Sequence, residues 1–198
     1  MGIENPFSLP GRPSAALPLL AVRADYTWKS GLLALGGSVG QLRWDGGADG
    51  PDATALQWDS VVAGRQYLGK NDFFTWNVSW GHGSGENIMA FTGSQANAVL
   101  TEDGRLETIP AFAFVAGYTH KWTSTLATNA SYAYGWLDTP PSRDPLALKR
   151  GGIGHANLVW HATKEFATGI EYMWGGHRAT NGGLGRASRV QGMVRLDF

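Results

Sequence analysis

The sequence predicts an all-β fold, an antiparallel transmembrane β-barrel with about nine strands present. Three observations carry that expectation. Apolar and polar residues alternate over runs about twice the usual ~5–6 residues of a soluble strand. The connectors between runs alternate short and long, the asymmetry expected of outer-membrane barrels. One face of every run is free of Asp, Glu, Lys and Arg.

Each run follows from its own pattern. Residues 17–28 place Leu20, Val22, Tyr26 and Trp28 on one face and Arg23 and Asp25 on the other. After Lys29-Ser30, residues 31–44 set Leu32, Ala34, Leu42 and Trp44 against Arg43. Residues 54–68 oppose Leu56, Trp58 and Val62 to Asp59 and Arg65, and in 72–82 Phe74, Trp76, Val78 and Trp80 alternate with Thr75, Asn77, Ser79 and Gly81. Run 109–121 carries Phe112, Phe114 and Tyr118 opposite Lys121, and 125–136 sets Leu126, Tyr132, Tyr134 and Trp136 against Asn129 and Ser131. Run 152–162 holds His155 and His161 opposite Leu158 and Trp160. In 165–175, Phe166, Ile170, Tyr172 and Trp174 oppose Glu171, and 188–198 closes with Val190, Val194, Leu196 and Phe198 against Arg189, Arg195 and Asp197. Membrane-crossing strands need ~9–11 residues, so each run is long enough.

In this reading the even-numbered residues of 20–28, 32–44, 56–66, 74–80, 112–120, 126–136, 154–162, 166–174 and 190–198, none of them Asp, Glu, Lys or Arg, form the lipid-facing side. A charge at mid-bilayer on that side costs about 2–4 kcal/mol for Arg or Lys, whereas a charge facing a water-filled lumen stays hydrated. Aromatic residues at the ends of the apolar face mark the interfaces: Tyr26, Trp28 and Tyr118 before short turns, and Trp44, Trp80, Trp136 and Trp174 before long loops.

Composition excludes other classes. Among 198 residues there are 28 Gly, 9 Trp and no Cys, with 16 Lys+Arg balancing 16 Asp+Glu. The aromatic content argues against disorder, the lack of Cys against a disulfide scaffold or thiolate chemistry, and the neutral balance against a nucleic-acid binder. No stretch approaches ~18 apolar residues, so no transmembrane helix is expected, and residues 1–13 lack the cationic and apolar regions of a signal peptide. Nine strands place the ends on opposite sides of the membrane, whereas closed bacterial barrels have even strand counts. The expectation is therefore the C-terminal part of a longer protein. Residues 1–16 are then a remnant of an extracellular loop and 17–198 a partial transmembrane β-barrel, by itself an open curved sheet with two unpaired edges or a forced closure.

The run from Ser30 to Arg43, preceded by Arg23 to Tyr26, resembles the middle of the DcaP-like outer-membrane porins. So do Gly117 to Trp122 with Ala130 to Gly135, and Gly169 to Arg178 with Arg186 to Gln191 and a terminal Phe198. The resemblance covers most of 17–198. It implies a sixteen-stranded, usually trimeric barrel in the outer membrane that passes small organic anions, dicarboxylates among them. It also implies an N-terminal half absent here, and a terminal Phe198 read by the barrel-assembly machinery.

The candidate substrate path is Arg23, Arg43, Arg65, Arg189 and Arg195, all expected on the lumen face. Guanidinium groups hold carboxylates bidentately and keep their charge at any working pH, and rows of Arg along a pore favour anions. The bland alternative is that they pair with Asp25, Asp59, Glu171 and Asp197 in a network that stiffens the wall. Loop 83–108 has apolar stretches, Ile88 to Phe91 and Ala96 to Leu100. It either constricts the pore, packs on a neighbouring subunit or covers the mouth.

No catalytic site, metal or cofactor is expected. Gly36-Gly-Ser38-Val-Gly40 matches the nucleophile-elbow pattern but sits mid-strand, expected on the lipid face, rather than at a strand-to-helix turn. His155 and His161 lie about 20 Å apart along a strand, too far for one metal. Gly81 to Gly85 lacks the Lys and Ser/Thr of a phosphate loop. The alternative to a porin is a small structural or adhesive outer-membrane barrel without transport activity.

Overall fold

The computed structural model describes residues 2–14, 17–88, 91 and 93–197. Phe198, and with it the expected assembly signal, lies outside the described residues. Nine long strands form where alternation predicts them: β3 (Leu20–Trp28), β4 (Gly31–Asp45), β5 (Ala53–Tyr67), β6 (Asp72–His82), β9 (Pro110–Lys121), β10 (Leu126–Leu137), β11 (Leu148–His161), β12 (Phe166–Ala179) and β13 (Leu184–Leu196). Four short strands complete the set: β1 (Ile3–Glu4), β2 (Arg12–Ser14), β7 (Ala98–Leu100) and β8 (Leu106–Thr108).

The long strands make one antiparallel meander, β3-β4-β5-β6-β9-β10-β11-β12-β13, with β2 pairing the far end of β4 beside β3. β7 and β8 interrupt the meander between β6 and β9, and form a second small sheet with β1 in the order β1-β7-β8. Among the described residues β3 pairs only with β4 and β13 only with β12, so the large sheet is open, as expected. No helix is long and apolar enough to cross a membrane, which says nothing about crossing by strands.

Register fixes the faces, because residues directly opposite one another in a ladder share a face. From β5 through β13, even residues pair with even: Gly64 with Trp76, Phe74 with Tyr118, Tyr132 with Gly154, Tyr172 with Val190. Strand β4 departs from this. Leu33 pairs with Tyr26 of β3 and with Gly64 of β5, and Leu35 with Ala24 and Val62. On β4 it is therefore the odd residues that share the apolar outer face.

Turn length is the cause. Trp28 and Gly31 are paired across a two-residue turn, which reverses number parity, and the eight-residue connection between Trp44 and Ala53 reverses it again. The five-residue connections, such as that between Lys121 and Ala127, preserve it.

The outer face so defined is apolar and exposed along its length, through Leu20, Val22, Leu35, Val39, Leu56, Val78, Ile170, Val190 and Val194. Its charged residues stand only towards the strand ends: Asp72 by a short turn, and Arg43, Asp45, Arg150, Arg178 and Arg186 towards the long loops. A contiguous exposed apolar face of this size marks a surface that is covered in its working state.

The cores lie on the opposite, inner face. Leu42 and Trp44 of β4 pack with Ile3, Ala98 and Leu100 of the small sheet. Phe91, Ala96 and Val99 pack against Ile109, Ala111 and Leu137. Trp44 is thus not part of an outer aromatic belt: it is 4% exposed, and its Nε1 donates to the Pro10 carbonyl at 3.0 Å. Trp80, Trp136 and Trp174 remain exposed on the outer face, as do Tyr26, Trp28 and Tyr118.

Candidate functional site

The inner face carries polar side chains paired from strand to strand. Its centre is a hydrogen-bonded ladder across five neighbouring strands. Thr119 Oγ1 donates to Asn129 Oδ1 at 2.7 Å, and Asn129 Nδ2 to Asn157 Oδ1 at 2.7 Å. Asn157 Nδ2 donates to Glu171 Oε2 at 3.3 Å, and Gln191 Nε2 to Glu171 Oε1 at 2.7 Å. These residues are direct register partners, so the sheet itself aligns them. His155 Nδ1 stands 3.6 Å from Glu171 Oε1. Because two amide donors converge on that one carboxylate, Glu171→Gln removes an ionic acceptor and turns an NH2 towards another donor. The expected cost is about 1–2 kcal/mol, read as a lower unfolding midpoint of the folded protein, with smaller losses for Thr119→Ala.

The long segment between β6 and β9 lies against this inner face at the long-loop end. Phe91 sits on Gly135, where a Cβ would come within 2.7 Å of its ring. Both Gly135 and Leu137 are inner-face positions, and so is Leu42 at the other end of the segment's contacts. The segment therefore lies along the inner wall from β10 to β4. Beneath it is a cavity of about 360 Å³, lined by Leu19, Ser38, Asp59, Ser84 and Asn87 among others. Ser38 Oγ donates to Asp59 Oδ2 at 2.7 Å and Asn87 Nδ2 to the same oxygen at 3.0 Å. Ser38 thus faces inward with Asp59, not towards lipid. It sits mid-strand in β4, without the strand-to-helix turn a nucleophile elbow needs.

The buried anchor of this arrangement was not legible in the sequence. Arg143 is 2% exposed; its Nε donates to Glu4 Oε2 at 3.0 Å, Nη1 to the Leu148 carbonyl at 3.0 Å and Nη2 to the Ser94 carbonyl at 2.9 Å. The other Glu4 oxygen accepts from the Asp144 amide at 2.6 Å. One guanidinium so ties the N-terminal segment, the 83–108 segment and the loop before β11 together.

The five predicted arginines are distributed, not clustered. Arg23 is bonded to Asp25 at 2.9 Å and Arg195 to Asp197 at 3.0 Å, each an exposed pair two residues apart on one strand. Arg65 lies over the Phe73 ring at 5.5 Å. Arg189 has no ion-pair partner among the described residues. Arg65 and Arg189 stand on one register row, Arg65-Thr75-Gly117-Ser131-His155-Met173-Arg189, reaching from β5 to β13. Arg43 corrects the expectation. It pairs in register with Thr54, an even residue of β5, so it stands at the end of the outer face, 3.9 Å from Asp52. Among the described residues no group of three or more His, Asp or Glu is placed to hold a metal ion.

No protein-family model matches the chain, and no curated protein matches it in sequence. Among solved structures, the crystal structure of the outer membrane channel DcaP of Acinetobacter baumannii matches with a TM-score of 0.78 at 16% identity, over 94% of this chain and 53% of that one. The fold is that of a DcaP-like porin. The NanC porin matches with a TM-score of 0.45 at 11% identity, covering 95% of this chain and 97% of that one. The chain spans about half the length of the DcaP chain it matches.

Within the DcaP-like fold, two kinds of inner-face charge are distinct. Asp59 and Glu171 are engaged by neutral donors, and Arg23 and Arg195 by their own aspartates. Exposed ion pairs of that kind contribute about 0–1 kcal/mol. Arg65 and Arg189 are left as inner-face guanidiniums without a carboxylate partner among the described residues.

Proposed function

We propose that this chain forms part of the wall of a passive outer-membrane channel for small organic anions, dicarboxylates among them, with no catalysis and no cofactor. The observation that carries the reading is the segregation of the two faces. The outer one is apolar and free of charge except towards its ends, and the inner one is a polar ladder narrowed by a segment folded against it. Lipid suits the first and water the second. Further strands close the open edges of β3 and β13, the C-terminal part of a sixteen-stranded barrel being the arrangement the resemblance implies. The closed barrel assembles as a homotrimer in the outer membrane of a Gram-negative cell, delivered there by the assembly machinery.

Selectivity in this reading rests on Arg65 and Arg189, which remain charged at every working pH. The test is the reversal potential of the full-length protein in a planar bilayer under a salt gradient. The wild type is expected to prefer anions. Arg65→Gln with Arg189→Gln shifts the reversal potential towards zero, with unitary conductance for small ions largely kept. Cation preference of the wild type contradicts the anion reading.

A further inference from the structure

At the long-loop end of the outer face, three arginines converge on ground that a lipid-facing wall should leave neutral. Arg150 of β11 and Arg178 of β12 are direct register partners, and Arg186 of β13 is opposite Gly176, two residues along the same face. Like charges directly opposite one another destabilise a ladder. Here no carboxylate of the described residues lies within ion-pair distance of any of the three. Arg178 Nε is buried without a hydrogen-bond partner among the described residues.

The same residues line a cavity of about 450 Å³ with Tyr132, Tyr134 and Trp174. Its floor is glycine. A Cβ on Gly152 would come within 2.6 Å of the Tyr132 hydroxyl, and one on Gly185 would collide with the His177 ring. The recess exists because side chains are missing there, and cations rim it. Directly below continue the exposed apolar residues Tyr172, Ile170 and Val190 of the outer face.

We infer that this recess binds the phosphate-bearing headgroup of a membrane lipid, whose acyl chains run down the apolar face beneath it. Guanidinium groups bind phosphate oxygens through paired, charge-assisted hydrogen bonds, and basic recesses at the membrane boundary recognise anionic headgroups. Phosphate oxygens supply the acceptor that Arg178 Nε lacks and the countercharge that the Arg150–Arg178 pairing needs. Continuity with the apolar face selects a lipid over a free anion. The inference rests on the membrane-spanning reading proposed above.

The experiment is native mass spectrometry of the protein folded in dodecylmaltoside micelles, titrated with dioleoyl phosphatidic acid or dioleoyl phosphatidylcholine. Wild type is expected to retain one phosphatidic acid per chain and to discriminate against phosphatidylcholine. R150Q/R178Q/R186Q lowers that retention by about tenfold or more, while the loop control Arg105→Gln does not. Equal retention of the two lipids, or an unaffected triple variant, overturns the inference. Displacement of phosphatidic acid by millimolar inorganic phosphate also overturns it, by making the recess a free-anion site. A changed oligomer distribution in the triple variant with lipid retention intact overturns it in favour of a contact between copies. Wild type that fails to insert into phosphatidylcholine vesicles overturns the membrane reading itself. Insertion without headgroup preference overturns only the lipid site.

Discussion

Replacing Arg143 by Ala is expected to cost about 3–5 kcal/mol, because it leaves the Glu4 carboxylate buried without its cation. It also strips the Ser94 and Leu148 carbonyls of their guanidinium donors. The loss falls first on what Arg143 ties together. The N-terminal segment and the 83–108 segment are expected to release from the inner wall, with new protease cleavage between Gly93 and Leu106 and a lower unfolding midpoint. Pairing Arg143→Met with Glu4→Gln removes both charges together, and such replacements of buried ion pairs are often near neutral. The double variant should therefore recover most of the loss. Limited proteolysis and thermal unfolding of the micelle-folded protein read both effects. An unchanged midpoint with an uncut loop in Arg143→Ala contradicts the anchoring role.

The second large effect is expected at Leu35, mid-strand on β4. Leu35→Lys puts an ammonium on the lipid-facing side, at a cost of about 2–4 kcal/mol near the midplane, falling towards the interfaces. Ser38→Lys adds the same charge three residues along, but on the inner face beside Asp59, where water and a carboxylate receive it. The measurement is the yield of folded, heat-modifiable protein in lipid vesicles. Leu35→Lys should fold poorly and Ser38→Lys close to wild type. The opposite ranking follows if even residues face lipid on β4 as they do on the other strands.

That contrast shows where alternation stops being informative. Strands β6, β10 and β12 have one polar face, so period two alone orients them. β4 begins Gly-Leu-Leu-Ala-Leu, apolar on both sides, and its inner Leu42 and Trp44 are apolar because the small sheet covers them. With no polar face to read, the only orienting signal is the two-residue turn at Lys29-Ser30, whose even length reverses parity. A one-residue error of register moves every side chain of a strand to the other face. That is what separates Arg43, Ser38 and Trp44 from their expected positions.

Other features were hidden for different reasons. Arg150, Arg178 and Arg186 read as loop residues because glycines at 151–152, 175–176 and 182–183 punctuate the pattern. The ladder nevertheless continues through them to Leu148, Ala179 and Leu184. Arg143 and Glu4 meet across 139 positions, a contact that no local pattern encodes. The inward packing of loop 83–108 was half visible. Its apolar stretches announce a packing surface, but only the register of Leu137, Gly135 and Leu42 says which side of the wall receives it.

In the proposed channel the sheet has a lipid side and a water side, with β4 inverted in numbering relative to its neighbours. The chain contains no cysteine, so single cysteines can be introduced one at a time from 32 to 41 and from 166 to 174 and spin-labelled. Collision rates with oxygen and with a water-soluble nickel chelate, measured in lipid vesicles, separate the two environments. Oxygen access should peak at odd positions on β4, at 33, 35, 37 and 39, and at even positions on β12, at 168, 170 and 172. Peaks at even positions on both strands, or no two-residue period on either, would contradict it.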